Sequence, residues 1–319
     1  MLRFLSFCLL LLFPCAPALA QQWPQRPVHL IVAYPAGGGA DTVARVLAQK
    51  LGEIFKQSFV VENKSGASGM IGAASVAKSD PDGYLLLVAS PAEVALNQNL
   101  FKDMNYDPLN DLTPITLLAW TPLVLAAHPS FAASTPEQLI KLAQDEPVNF
   151  STPGIGSSHH LAGEYINALR HTKLVHVPYR GSAPAVTDAV SGQVELTISG
   201  MPPVVPFLQS HMLKAIAVTS KQRSPLFPDI PALAETKGFE DFDFTNWFGL
   251  LARAGTPPVI LDRLQKASID ALNDPQVQKI LASQAAVPVG DTPAEFRAFI
   301  RAEAAKYARI VDITHLQLK

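Results

Sequence analysis

The stretch Val28-His29-Leu30-Ile31-Val32-Ala33-Tyr34-Pro35-Ala36-Gly37-Gly38-Gly39-Ala40-Asp41 decides the fold. Val28–Ala33 is apolar and β-branched, and reads as a buried strand. Asp41–Phe55 carries Val43, Val46, Leu47, Leu51 and Ile54 at helical spacing, so an amphipathic helix follows. Between them, three glycines leave backbone N–H groups uncovered at the positive end of the helix dipole. Strand, glycine turn and helix make one βα unit whose joint favours an anion.

Upstream, residues 1–20 read as a secretory signal peptide. Arg3 supplies the positive n-region, Phe4–Phe13 the apolar h-region, and Ala18-Leu19-Ala20 the cleavage site. A membrane anchor is the competing reading, but the run is short for a span of about 20 residues and ends at Pro14 and Pro17. Lipid attachment at Cys15 is disfavoured because Leu12-Phe13-Pro14 lacks small residues. Both cysteines, Cys8 and Cys15, fall inside the signal, so an exported chain starting at Gln21 has no disulfide or thiolate chemistry and stands on its core alone. The expected compartment is the periplasm. Charged residues are only 16% of the chain, and the net charge of −2 becomes −3 once Arg3 leaves. With no basic run, nucleic acid is excluded as a partner.

Downstream, strand and helix signals alternate. Phe59–Val61, a helix over Gly69–Lys78, the turn Asp80–Gly83 and the strand Tyr84–Ala89 continue a βαβαβ rhythm. Thr113–Ala127 reads as two strand-like segments interrupted by Thr121-Pro122. A second series follows: Val148–Ser151, a helix over Ser158–Arg170, Leu174–Val177, a helix over Ala183–Ser191, Val194–Ser199, a short helix after Pro202, and Leu213–Thr219. A proline-rich return, Ser224–Pro231, leads to the strand Phe244–Ala252, and two helices, Pro257–Asn273 and Pro293–Ile310, close the chain. The expected architecture is α/β, with two lobes joined by a hinge.

Four loops follow strands and precede helices, where open α/β sheets place ligands. In the first, the position after Gly37 and Gly39 where G-x-G-x-x-G needs glycine is Thr42, and no G-x-x-x-x-G-K-[ST] occurs, so the nucleotide fingerprints fail. The glycines serve either an anion or simply close strand–helix packing, and Asp41 reads as a helix cap. In the second, Ser90-Pro91-Ala92-Glu93, Ser90 donates to a solute or caps the next segment, and Glu93 reads as solvated. The third, Ser151–His160, offers Ser157 or Ser158 beside His159 and His160, as a serine hydrolase would, yet G-x-S-x-G is absent. Adjacent histidines lie about 100° apart on a helix and chelate a metal poorly. Hydroxyls and N–H groups at a helix start suit a carboxylate, or plain N-capping. In the fourth, Val177–Pro184, Pro184 suits a first helical turn and leaves the Gly181, Ser182 and Ala183 N–H groups available. Arg180 there neutralises a ligand or sits on the surface. Trp120, Trp247 and Phe248, at the crossovers, line a cleft or fill the core.

Taken together, the chain resembles the Bug (TctC-like) family of periplasmic receptors of tripartite tricarboxylate transporters. The resemblance rests first on Trp23-Pro24 with Arg26-Pro27, and on Tyr34-Pro35 through Gly39 with Asp41, Ala44 and Arg45. It continues through Glu62-Asn63-Lys64 with Gly66-Ala67, Asp80–Tyr84, and Tyr106-Asp107-Pro108 before Leu112-Thr113-Pro114. It extends to Gly156-Ser157-Ser158 with His160–Glu164, Val177–Gly181, Ala217–Ser220, Arg223-Ser224-Pro225, Pro228–Pro231 and Trp247–Leu250.

That resemblance implies a type II periplasmic binding fold, whose two lobes close like a flytrap on a small organic acid. It implies one lobe from 21–121 with 225–319 and another from 122–224. By the same resemblance Ala36, Gly37, Gly38 and Gly39 form the anion cradle, with Ser90, Pro91 and Ala92 beside it. Ser157, Ser158, His160, Arg180 and Gly181 face them from the second lobe. The expected protein is a monomeric, non-enzymatic receptor with no cofactor and no metal, delivering its ligand to membrane transporter subunits. A receptor feeding a signalling partner, and a secreted serine hydrolase, are the alternatives. The chain departs from the family pattern at Pro91-Ala92-Glu93 and at His159. It also carries no aspartate near Thr197–Ser199, which weighs against an amino-acid or cationic ligand.

Overall fold

The computed structural model describes residues 23–318, so the expected signal peptide lies outside the described residues. In chain order the elements begin with β1 (Val28–Val32), α1 (Gly39–Phe55), β2 (Phe59–Asn63), α2 (Met70–Ala77) and β3 (Leu85–Ala89). A wide π-type turn, Ala92–Leu96, and α3 (Asn97–Leu100) lead to β4 (Leu112–Ala127) and α4 (Pro136–Asp145). Then come β5 (Val148–Thr152), α5 (Ser158–Arg170), β6 (Leu174–Pro178), α6 (Ser182–Val190), β7 (Leu196–Gly200), α7 (Met201–Gln209) and β8 (Lys214–Val218). The chain closes with β9 (Thr245–Arg253), α8 (Pro258–Leu272), α9 (Pro275–Ser283), β10 (Val287–Pro288) and α10 (Pro293–Thr314).

β1 is apolar on both faces because it is covered on both. Val28, Leu30, Ile31 and Val32 are fully buried, and β1 pairs in parallel with β2 and β3. Each such side chain contributes about 1.5–3 kcal/mol by leaving water. α1 turns Val43, Ala44, Leu47 and Leu51 onto this sheet. In the second sheet β5 pairs in parallel with β6 and β7.

One strand joins the two sheets. Leu112–Pro122 of β4 runs antiparallel to β9, and Leu123–Ala127 continues antiparallel to β7 and β8. The break expected at Thr121-Pro122 is absent. Pro122 faces Thr245 at the last rung of the β9 ladder, where β4 changes partners and a missing N–H costs least. The expected pair of closing helices is three. Asp274 caps α9 by accepting from the Gln276 and Val277 N–H groups, and Pro275 starts it, immediately after α8 ends.

Along β4 the largest core cluster runs between the sheets and takes in α5 and α10, with Phe150, Trp247, Phe244 and Tyr307 fully buried. The return segment 225–244 lies against the second sheet. Val218 donates its N–H to the Pro231 carbonyl, and Phe244 its N–H to the Thr219 carbonyl, both at 2.9 Å. Among the described residues no helix is long and apolar enough to cross a membrane.

Candidate functional site

Loops leaving the carboxyl ends of β1, β3, β5 and β6 meet around a cavity of about 40 Å³, room for only a few water-sized groups. It shares Tyr34, Pro35, Pro153, Ser157 and Gly181 with a larger outer cavity of about 550 Å³.

The β1–α1 loop gives its three glycines separate tasks. Gly37 has φ +85°, a left-handed conformation that a side chain would strain. At Gly39 a Cβ would come 2.7 Å from Phe248 Cζ, so this glycine allows close packing. Gly38 has neither constraint: its φ is not left-handed, and an added Cβ would make only ordinary contacts, with the Pro35 carbonyl at 3.8 Å and Ser182 Oγ at 3.9 Å. It is the N-cap of α1 and makes no side-chain capping bond, so the first-turn N–H groups at the cavity wall are uncapped by any side chain.

Asp41 lies inside α1 instead of capping it from outside. Its carboxylate reaches back to the Gly37 N–H at 3.1 Å and binds Arg45 Nε at 3.0 Å and Asn63 Nδ2 at 3.0 Å. Burial pushes this carboxyl up, but the bonds from Arg45, Gly37 and Asn63 outweigh it and hold the pKa below its ordinary value. Gly38 and Gly39 line the cavity, whereas Ala36 and Gly37 do not, because Gly37 donates into its own loop.

Ser90, Pro91 and Ala92 line the cavity together. The Ser90 N–H and Oγ both donate to Glu93 Oε2, at 3.1 and 2.9 Å. Glu93 is buried, not solvated, and Tyr106 donates its phenol to the Glu93 main-chain carbonyl at 2.6 Å. Burial pushes the Glu93 carboxyl up to about 7.

From the second sheet, Ser157 caps α5. Its Oγ accepts the His160 N–H at 3.2 Å and donates to the Gly154 carbonyl at 2.8 Å. Ser157 and Ser158 both line the cavity, and so does His159. His160 does not. Its ring stacks on His176 at 3.8 Å between centroids, accepts the Gly156 N–H at 3.3 Å, and lies 3.6 Å from Glu164. Adjacent helical residues point about 100° apart, so packing against β6 turns His160 away and His159 inward. Burial pushes the His159 ring down to about 3; burial, followed by the nearby His160, does the same to His176.

Arg180 lines the outer cavity, and Gly181 lines both. Gly181, with φ +111°, is the uncapped N-cap of α6, and a Cβ there would lie 3.3 Å from Pro35 of the opposing loop. Alternation along β9 completes the wall. Asn246 and Phe248 face the cavity, while Trp247 points into the core and donates to Glu303 Oε2 at 3.0 Å. Trp120 lines a separate groove beside Phe299. Asn246 escaped the sequence reading, since a lone amide in a strand carries no periodic signal.

Three helix N-termini, those of α1, α5 and α6, therefore converge on one cavity, and no Lys or Arg is among its lining residues. Asp41 is the one charged residue on that wall, and with its carboxylate paired to Arg45 the wall meets an anion with the neutral dipoles of its N–H groups. Among the described residues no histidine ring bonds the Ser157 or Ser158 hydroxyl, and no cluster of three His, Cys, Asp or Glu side chains could hold a metal.

Residues 43–316 match the family model described as tripartite tricarboxylate transporter family receptor, TctC. Protein BugT of Bordetella pertussis is 38% identical over 307 residues, 95% of this chain and 94% of that protein. Among solved structures, Rpa4515 of R. palustris with adipate is 32% identical, covers 92% of this chain and 98% of its own, and superposes with a TM-score of 0.88. MatC (Rpa3494) from Rhodopseudomonas palustris with bound malate is 29% identical over 91% of this chain and 100% of its own, with a TM-score of 0.84. The chain belongs to the tripartite tricarboxylate transporter receptor family, whose members are non-enzymatic solute-binding receptors of the periplasmic binding protein fold.

Proposed function

We propose that the protein is a periplasmic receptor that captures a small organic carboxylate and delivers it to the membrane subunits of a tripartite transporter. The observation that carries this reading is the convergence of three helix N-termini on one buried cavity with no lining cation. Adipate and malate in the two structural relatives support it. Gly38, Gly39, Ser90, Pro91, Ala92, Ser157, Ser158 and Gly181 make the ligand wall, and Arg180 stands at its entrance. Ala36, Gly37 and His160 brace the loops from behind. One lobe comprises 21–121 with 225–319 and the other 122–224, with 225–244 docked on the second. They hinge where β4 passes from the first sheet to the second and where the return segment enters β9. Ligand shifts an open–closed equilibrium toward closure. The receptor works as a monomer.

Thermal denaturation of the chain from Gln21 against a panel of mono-, di- and tricarboxylates tests this. At 100 times its dissociation constant, a bound acid stabilises the fold by about 2.7 kcal/mol. A panel in which no acid raises the melting temperature, while sugars or cations do, overturns the reading.

A further inference from the structure

We propose that His159 selects the ligand, by hydrogen-bonding a second oxygen function, carboxylate or hydroxyl, carried away from the acid group that the helix N-termini hold. This rests on the carboxylate-receptor reading and specifies it. The His159 ring is only 6% exposed and lines the cavity, yet neither Nδ1 nor Nε2 has a partner. Among the described residues eight buried side-chain nitrogen or oxygen atoms lack a partner, and two of them are on this one ring. Its neighbour shows that this is no general property of the helix. His160 engages Gly156 through Nδ1 and approaches Glu164 through Nε2.

A buried imidazole without partners is costly to the empty protein, and a ligand that pairs it recovers that cost. Burial keeps the ring neutral, so it offers one N–H and one lone pair. On the first-sheet wall, Ser90 has already donated its hydroxyl proton to Glu93 and presents only lone pairs. The His159 N–H favours an acid with a further polar oxygen, and the Ser90 lone pairs accept only from a ligand hydroxyl. An acid with a plain alkyl tail would leave His159 buried and unpaired, which is how sites built for hydrogen bonding reject analogues.

Calorimetric titration with two matched pairs, succinate against butyrate and adipate against hexanoate, tests the assignment, with malate as a fifth probe. Wild type binds the diacid of at least one pair tenfold or more tighter than its monoacid. His159→Leu loses tenfold or more for that diacid and changes threefold or less for the monoacid. His159→Gln, which keeps a donor and an acceptor, retains most of the discrimination. Nitrogen resonances of ¹⁵N-histidine-labelled wild type provide a readout independent of variant folding. Those of His159 shift with the diacid and not with the monoacid. Equal binding within every pair, an equal loss for all acids in His159→Leu, or unmoved His159 resonances overturns the inference while leaving the receptor reading standing. If no acid binds wild type, the receptor reading fails and takes this inference with it.

Discussion

The carboxylate of Asp41 accepts the N–H of Gly37 at 3.1 Å, closing the glycine turn on itself from inside α1. The same carboxylate anchors Arg45 and Asn63, so the most obvious cation near the turn is committed within the first sheet's own loops. At the cavity the turn presents the backbone of Gly38 and Gly39, with the Asp41 carboxylate beside them already paired to Arg45 and Asn63.

Gly38→Val separates ligand contact from fold. An added Cβ meets nothing closer than 3.8 Å, and the backbone at φ −86°, ψ 171° accepts a β-branched residue. Stability should fall by about 1 kcal/mol, since valine is a poor N-cap. Affinity for the bound acid should fall tenfold or more, because the side chain projects toward Ser182 across the cavity. Parallel urea and calorimetric titrations check this, and losses of equal size in both would return Gly38 to a packing role.

Asp41→Ala should behave in the opposite way. It strips partners from Gly37, Arg45 and Asn63 at once, and should cost on the order of 1–3 kcal/mol in urea unfolding. Asp41→Asn keeps the shape and should recover part of that. An alanine variant as stable as wild type would show that the turn holds itself without this carboxylate.

Glu93 makes stability depend on pH with a definite sign. Its folded pKa of about 7 exceeds the ordinary 4.5, so the folded chain holds a proton that the unfolded chain has released. The stability this contributes is complete below about pH 4.5 and is lost as pH rises through 7, on the order of 3 kcal/mol in all. His159 and His176, pushed down to about 3, act in reverse, contributing above pH 6.5 and failing as pH falls toward 3. Subtracting wild type from Glu93→Gln isolates the carboxyl. The variant's advantage in urea unfolding should grow from pH 5 to pH 8, and a difference independent of pH would refute the assignment.

Ser157→Ala tests the capping role against a nucleophilic one. Loss of the bond from the His160 N–H should cost about 1 kcal/mol. A fluorophosphonate probe should label neither protein. Labelling of wild type that the variant abolishes would reopen acyl-transfer chemistry.

Much of the fold was legible because periodicity is local. The apolar run of β1, the helical spacing of α1, and the Ser157 start of α5 each declare an element without reference to anything distant. The single β4 was misread as two strands because proline usually ends a ladder, and only its place between two partners explains its tolerance. α9 was missed because Asn273-Asp274-Pro275 is as good a stop as it is a restart.

The sequence by itself determined the α/β alternation, the absence of phosphate fingerprints, the glycine joint of β1 and α1, and which strand ends carry loops suited to an anion. The packed molecule alone decided which groups those loops present. Glu93 is buried because Ser90 and Tyr106 enclose it, Asn246 reaches the cavity because β9 crosses beneath, and His159 faces inward because His160 stacks on His176. The physical reason is the same in each case. Backbone periodicity sets the angle between neighbouring side chains, but contacts between elements far apart in sequence set which of those angles points at the ligand.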